Sequence, residues 1–309
     1  MIRSAWRDAS PYLLLTLTAL FWAGNAVTAR ALHELLPPVA MAFWRWMLAS
    51  VLLLPFVLRP MYDQRTLLCR YWGRLVLLGA LGVSGFNTFL YAALQTTTAT
   101  NGVLINSVTP LLIVFIGRVL FGARMTWRQQ AGIVLSLIGM TVIVSRGDST
   151  VLAQLDFNRG DFLLIGGALS WALYTVFLRW RPPGIGTRAF LGATVMIGAA
   201  LLLPLYLGEI ASGRSAVWNL AAGAGLIYFA VFPSILAYLF WNHGVHQVGA
   251  NRAGLFLYLI PVFGIALAVA FLGENLRLFH LTGALLIFTG IYISTTSTAG
   301  KGAARKAGR

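Results

Sequence analysis

The chain has 309 residues, of which 59% are apolar, 13% aromatic and only 10% charged, with a mean hydropathy of +0.80. Soluble proteins carry roughly 45–50% apolar and about 25% charged residues, so this composition excludes a water-soluble globule. The 23 basic residues against 8 acidic ones, a formal net charge of +15, are scattered over short connections between apolar runs; that is the pattern of membrane topology, and no nucleic-acid partner is expected.

In chain order, the hydropathy predicts spans at 11–33, 38–58, 71–94, 100–121, 126–145, 160–180, 186–208, 217–243, 249–272 and 277–296, an all-α membrane protein with ten transmembrane helices. The first span follows Arg3 and Arg7 and ends near Ala29-Arg30-Ala31, a pattern that a cleavable signal also shows. Its repeat partner later in the chain argues for keeping it in the mature fold. The second span carries Arg45 between Trp44 and Trp46. The third has Gly79, Gly82 and Gly85 in a run that is apolar on all sides, suited to close helix packing. Interior prolines at Pro55, Pro110, Pro204, Pro233 and Pro261 are hinge candidates or ordinary packing kinks.

With the amino terminus in the cytoplasm, 17 basic residues fall on the inner side: Arg3, Arg7, Arg59, Arg65, Arg70, Arg74, Arg118, Arg124, Arg128, Arg179, Arg181, Arg188, Arg252, Lys301, Arg305, Lys306 and Arg309. Arg30, Arg146, Arg159, Arg214 and Arg277 fall outside. Basic flanks resist transfer across the bilayer, so both termini are expected in the cytoplasm.

A shift of 149 residues lays Ala19-Leu20-Phe21-Trp22-Ala23 onto Ala168-Leu169-Ser170-Trp171-Ala172 and Pro55 onto Pro204. A shift of 151 superposes Ala99, Leu104, Pro110, Gly122, Gly132, Leu135 and Gly139 on Ala250, Leu255, Pro261, Gly273, Gly283, Leu286 and Gly290. The chain therefore divides into 1–148 and 149–309, two five-helix repeats. An odd number of spans per copy inverts the second relative to the first, an arrangement recurrent in secondary transporters that alternate access around a central site.

Polar and aromatic residues matched between the repeats mark a candidate site. Trp22 and Asn25 correspond to Trp171 and Tyr174, and Asn87 and Tyr91 to Tyr238 and Asn242, each pair at helical spacing. Together the eight would line one midplane cavity, amides binding the polar ends of a solute and rings its apolar part; interhelical hydrogen bonding and interfacial belts are the structural alternative. Arg45 either holds a substrate carboxylate, neutralises a gate, or bonds carbonyls near the outer end of its helix. His243, near the inner end of the eighth span, could titrate and gate. His243 and His246 are three apart, but no further ligand is near in sequence, and Cys69 is the single cysteine. Neither a disulfide, a metal nor a cofactor is expected. The eight acids, Asp8, Glu34, Asp63, Asp148, Asp156, Asp161, Glu209 and Glu274, all fall in tails, loops or helix ends. A neutral or zwitterionic small-molecule substrate is thereby favoured over a lipophilic cation exchanged for protons. The same absence of a catalytic constellation argues against an enzyme.

Phe21-Trp22-Ala23-Gly24-Asn25, Arg45, the run from Ala99 to Pro110, Pro261-Val262-Phe263 and Phe271-Leu272-Gly273-Glu274 resemble the drug/metabolite transporter superfamily, of the EamA type, over essentially the whole chain. Ile260 stands where that family often has a glutamate before Pro-Val-Phe, which removes a carboxylate. The resemblance implies an inner-membrane, multi-pass exporter of small metabolites, most similar to bacterial exporters of aromatic and other neutral amino acids. Efflux of drugs or other metabolites, with or without proton coupling, is the alternative; a non-transporting scaffold is a third reading. The oligomeric state is left open.

Overall fold

In the computed structural model, the described residues are 9–93, 96–97, 99–148, 150–151, 158–272 and 275–296. Among the described residues, ten helices are long and apolar enough to cross a membrane: α1 (Pro11–Leu32), α2 (Pro38–Asp63), α3 (Trp72–Ala93), α4 (Asn101–Phe121), α5 (Trp127–Val144), α6 (Arg159–Trp180), α7 (Thr187–Ala211), α8 (Leu220–Val248), α9 (Ala250–Phe271) and α10 (Leu278–Thr295). Outward-facing Phe56, Phe115, Leu207, Ile227 and Leu285 are exposed, as lipid-facing side chains should be, whereas Arg45, Asn87, Ser234 and Asn242 are buried inside. Arg3, Arg7, Asp8, Asp156, Gly273, Glu274 and the four basic residues of the carboxyl tail lie outside the described residues.

Helix starts follow local chemistry. Pro11 and Pro38 open α1 and α2, where a missing N–H costs nothing. Thr126 with Gln129 and Asn158 with Asp161 form capping boxes at α5 and α6, and Asn219 accepts the Ala222 N–H at 2.9 Å at the start of α8. Gly122 ends α4 in the left-handed region (φ 61°), which a side chain would disfavour.

The expected spans match closely, with two extensions. α2 continues through Pro55 and Pro60 to Asp63, and α8 runs to Val248. Pro55 and Pro204 sit inside uninterrupted α-helix and are not breaks. The breaks lie elsewhere. Ala80–Gly85 of α3 and Ala230–Leu236 of α8 are π-helical turns, the second containing Pro233. Thr109–Phe121 restarts α4 just before Pro110, and a 3-10 turn at Phe256–Tyr258 precedes Pro261 in α9. The two π segments correspond under the 151-residue shift, although the first contains no proline.

Glycines set the tightest contacts. A Cβ on Gly139 would come 2.6 Å from the Gly283 carbonyl and one on Gly283 2.6 Å from the Gly139 carbonyl, and Gly132 and Gly290 meet in the same reciprocal way. α5 and α10 thereby pack backbone to backbone. α2 and α7 lie antiparallel and are tied at both ends: Glu209 accepts the Val39 and Ala40 N–H groups at 3.1 and 2.6 Å, and Gln64 accepts the Gly186 N–H at 2.7 Å. These caps explain where two of the polar residues near helix ends are spent. A carboxylate or amide oxygen satisfies the orphan donors of a helix start and complements its dipole.

Candidate functional site

The π turns free carbonyls that a regular helix would occupy, and those carbonyls build the site. The Pro233 carbonyl accepts the Trp22 indole N–H at 3.1 Å and Arg45 Nη2 at 3.1 Å. Gly82, its counterpart under the 151 shift, offers its carbonyl to the Tyr238 hydroxyl. The backbone of one half thus receives polar side chains from the other.

Arg45 is the hub. Only 3% exposed, it donates through Nε to Ser234 Oγ at 2.6 Å, and through Nη1 to Asn25 Oδ1 at 3.1 Å, Asn87 Oδ1 at 3.3 Å and the Tyr91 hydroxyl at 3.4 Å. An arginine inside a span costs up to about 2.5–3.5 kcal/mol on insertion scales, the full figure applying at the centre. Hydrogen bonds to a charged group contribute about 1.5–3 kcal/mol each, so five acceptors from α1, α2's neighbours α3 and α8 offset that cost. Every acceptor is neutral. Among the described residues the ion pair within reach is His33 with Glu34, at the far end of α1, and Arg45 has no carboxylate beside it. Arg45 faces the interior, and its one carbonyl partner, Pro233, is drawn from another helix.

Below the arginine lies a cluster of rings. Trp22 and Trp171 meet edge to face with centroids 5.0 Å apart; Trp241 lies 5.3 Å from Trp22 and 5.7 Å from Trp171; Tyr238 lies 5.4 Å from Trp171 and 4.8 Å from Trp46. Tyr174 stacks obliquely on Trp171 at 5.1 Å and donates to Asn242 Oδ1 at 2.8 Å. Edge-to-face packing of this kind adds roughly 0.5–1.5 kcal/mol per pair, which favours a closed, self-filled cluster.

All eight sequence-matched residues therefore converge, but not around one open midplane space. Asn25, Asn87 and Tyr91 gather at Arg45. Trp22, Trp171 and Tyr238 fill the centre, and Tyr174 with Asn242 seals it below. A cavity of about 1090 Å³ lies toward the arginine-rich end, and of the eight only Asn242 lines it. Its lining includes Arg124, Arg179, Arg181, Arg252 and His246. His243 is half-buried and does not line it, because the cavity meets the face of α8 that carries Asn242, Val245 and His246. Arg181 is held by the Ile185 carbonyl at 2.7 Å and lies over the Phe190 ring at 5.2 Å, and its partial burial lowers its pKa. His243 and His246 have no third ligand: among the described residues no group of three His, Cys, Asp or Glu could hold a metal ion.

The other end is closed. Phe43 stacks on Tyr206 with centroids 4.6 Å apart, Trp44 donates its indole N–H to the Tyr206 hydroxyl at 3.0 Å and packs edge-on to Trp218, and the Val217 N–H reaches the Leu35 carbonyl at 2.8 Å.

Ser234 joins the Arg45 network and Trp46 and Trp241 the ring cluster, and none of the three was singled out from sequence. Trp241 follows Tyr238 by three residues, and so shares its helix face, which was the available signal. Ser234 had none, since its role depends on α2 meeting the π turn of α8.

Compared with known proteins, the chain matches the EamA-like transporter family model twice, over residues 9–145 and 158–296. It is 28% identical over 292 residues to "Uncharacterized transporter YyaM" of Bacillus subtilis, covering 91% of this chain and 92% of that one. It is 28% identical over 290 residues to a "Probable amino-acid metabolite efflux pump" of Salmonella typhimurium, covering 91% and 93%. A solved protein crystal structure superposes with a TM-score of 0.74 at 20% identity, covering 92% of this chain and 96% of the other, which establishes the likeness in fold.

Proposed function

Since the chain belongs to the EamA-like transporter family and is a multi-pass membrane protein, we propose that it exports small carboxylate-bearing metabolites, aromatic and other neutral amino acids among them, by alternating access. The observation that carries this reading is Arg45, a buried cation ringed by neutral acceptors and set directly against the aromatic cluster. A carboxylate can exchange for those weaker partners, while an aromatic side chain slots among rings that already prefer one another.

The alternating-access part rests on two inverted repeats, 1–148 and 149–309, with both termini in the cytoplasm. Two features support it. The family model matches each half separately. The glycine contacts of α5 and α10 also exchange under the repeat: adding 151 to Gly132 and subtracting it from Gly290 turns their contact into that of Gly283 with Gly139. The cavity then opens to the cytoplasm, where cargo for export would enter, and the Phe43, Trp44 and Tyr206 plug closes the outside.

Export of lipophilic cations in exchange for protons has less support, because the buried acids are committed elsewhere. Asp161 accepts Asn101 Nδ2 at 3.1 Å, the Asn158 N–H at 2.8 Å and the Thr97 hydroxyl, and Glu209 caps α2. The experiment is flux in liposomes loaded with labelled tryptophan, phenylalanine or threonine. Saturable movement of these supports the proposal, and saturable movement of a lipophilic cation in their place overturns it.

A further inference from the structure

The site has spent its acceptors and kept its donors, and this bears on the charge of what it carries. The Asn25 and Asn87 carbonyl oxygens, the Tyr91 and Ser234 hydroxyls and the Pro233 carbonyl all face Arg45. The Asn242 oxygen is taken by Tyr174 and the Gly82 carbonyl by Tyr238. Against these stand the indole N–H groups of Trp46, Trp171 and Trp241, all buried and all donating to nothing. Unpaired buried donors are rare enough to require a cause, and an arriving acceptor is the simplest one.

The route inward has the same sign. Arg124, Arg179, Arg181 and Arg252 line the cavity with His246, and no carboxylate is among its lining residues. Retention of arginines on one side of a membrane requires only that they lie in the connections, not that they surround a cavity. Around a concave space with apolar walls they focus a positive potential that concentrates anions.

We propose that the transported species is a net monoanion: a small aromatic carboxylate whose amine is absent or acylated, in preference to the zwitterionic amino acid and to the exclusion of the corresponding cation. The carboxylate replaces neutral oxygens on Arg45 and accepts from the free indoles. An ammonium group finds no acid among the lining residues; the unpartnered Thr175 Oγ1 at the cavity wall offers it one neutral oxygen, and it is otherwise left with ring faces beside a guanidinium of like charge. This inference rests on the reading of Arg45 and the ring cluster as the cargo site.

The test compares three probes of one shape with the full chain in liposomes: N-acetyl-L-phenylalanine, L-phenylalanine and L-phenylalanine amide. Flux of the N-acetyl anion about tenfold above that of phenylalanine, with no flux of the amide, is expected. Phenylalanine moving as fast as the anion or faster overturns the charge preference and leaves the export reading standing. Flux of the amide alone, or of none of the three, overturns both. Arg45→Gln should reduce the N-acetyl anion to the rate of phenylalanine, and an unchanged preference in that variant also overturns the inference. Should Arg45→Gln not insert, quenching of the wild-type tryptophan fluorescence by the three probes gives the same ranking, the anion binding tightest if the inference holds and no tighter than phenylalanine if it fails.

Discussion

The Tyr174 hydroxyl and the Asn242 amide oxygen, 2.8 Å apart, form the partition between the open cavity and the ring cluster: Asn242 lines the one, and Tyr174 packs within the other. On the proposed export route, cargo entering from the cavity meets this bond first. Tyr174→Phe keeps the ring and removes the donor, leaving the Asn242 oxygen buried without it, which costs about 1–3 kcal/mol. Asn242→Ala removes the acceptor. Each should lower the melting temperature and reduce transport several-fold, and the double variant should be no worse than Asn242→Ala alone, since both act on a single bond. Thermal melts of the four proteins in detergent, beside liposome flux, check this.

Arg45 connects four helices through one guanidinium. Arg45→Lys keeps the charge but replaces a planar fork with a point donor on a shorter reach, so Ser234, Asn25 and Asn87 cannot all be served together. Transport should fall at least about tenfold with insertion retained, while Arg45→Ala, which takes their shared donor from Ser234, Asn87 and Tyr91 in the interior, should also lose about 1–3 kcal/mol of stability or more. Expression and melting, measured beside flux, separate the two effects. A lysine variant transporting at the wild-type rate would remove the arginine from the site.

The spans and the eight convergent side chains were legible in the amino-acid sequence because each is written in side-chain type and spacing. What escaped is carried by backbone. The π turn at Ala80–Gly85 has no proline to announce it, and its consequence, a free Gly82 carbonyl for Tyr238, involves no side chain on the accepting helix. Arg45 illustrates the same limit. Its position left both the interior and a snorkelling path open, and choosing between them, and among its partners, required knowing that α2 meets α8 at Pro233 and Ser234. The arginines of the cavity were read as orientation signals alone, and nothing local in the sequence distinguishes an arginine that lines a cavity from one that faces water.

Gly290 tests the α5 and α10 seam. A Cβ there would meet Ser136 Oγ and come 2.5 Å from the Gly132 carbonyl, and backbone cannot step aside cheaply. Gly290→Ala should cost about 1–3 kcal/mol and lower expression. Gly223→Ala in the first turns of α8, where a new Cβ meets nothing within 4 Å, should be neutral or stabilising by up to about 1 kcal/mol. Equal yields of the two variants would mean that the helices are not in backbone contact.

Cys69 reports the orientation without mutation. It is exposed on the short helix Arg65–Arg70 between α2 and α3, on the arginine-rich side assigned to the cytoplasm. A membrane-impermeant maleimide should label it in inside-out vesicles and leave intact spheroplasts unlabelled. Labelling of spheroplasts alone would turn the protein over, and make the open cavity an entrance from outside.

Glu209 and Gln64 clamp opposite ends of the same antiparallel helix pair, α2 with α7, each residue from the end of one helix capping the start of the other. α2 spans 26 residues, about 39 Å at 1.5 Å per residue, so the two caps share no partner and lie far beyond the range at which substitutions couple. Glu209→Ala removes a carboxylate that serves two N–H groups at a positive helix end and should cost about 1–2 kcal/mol; Gln64→Ala, which loses one neutral bond, should cost about 0.5–1 kcal/mol. Their losses should add to within about 0.5 kcal/mol in the double variant, the opposite of the behaviour expected for Tyr174 and Asn242. Unfolding of the four proteins in detergent at matched conditions measures this. A strong coupling between the two ends would mean that α2 and α7 do not move as one rigid pair but shift against each other, so that loosening one end already loosens the other.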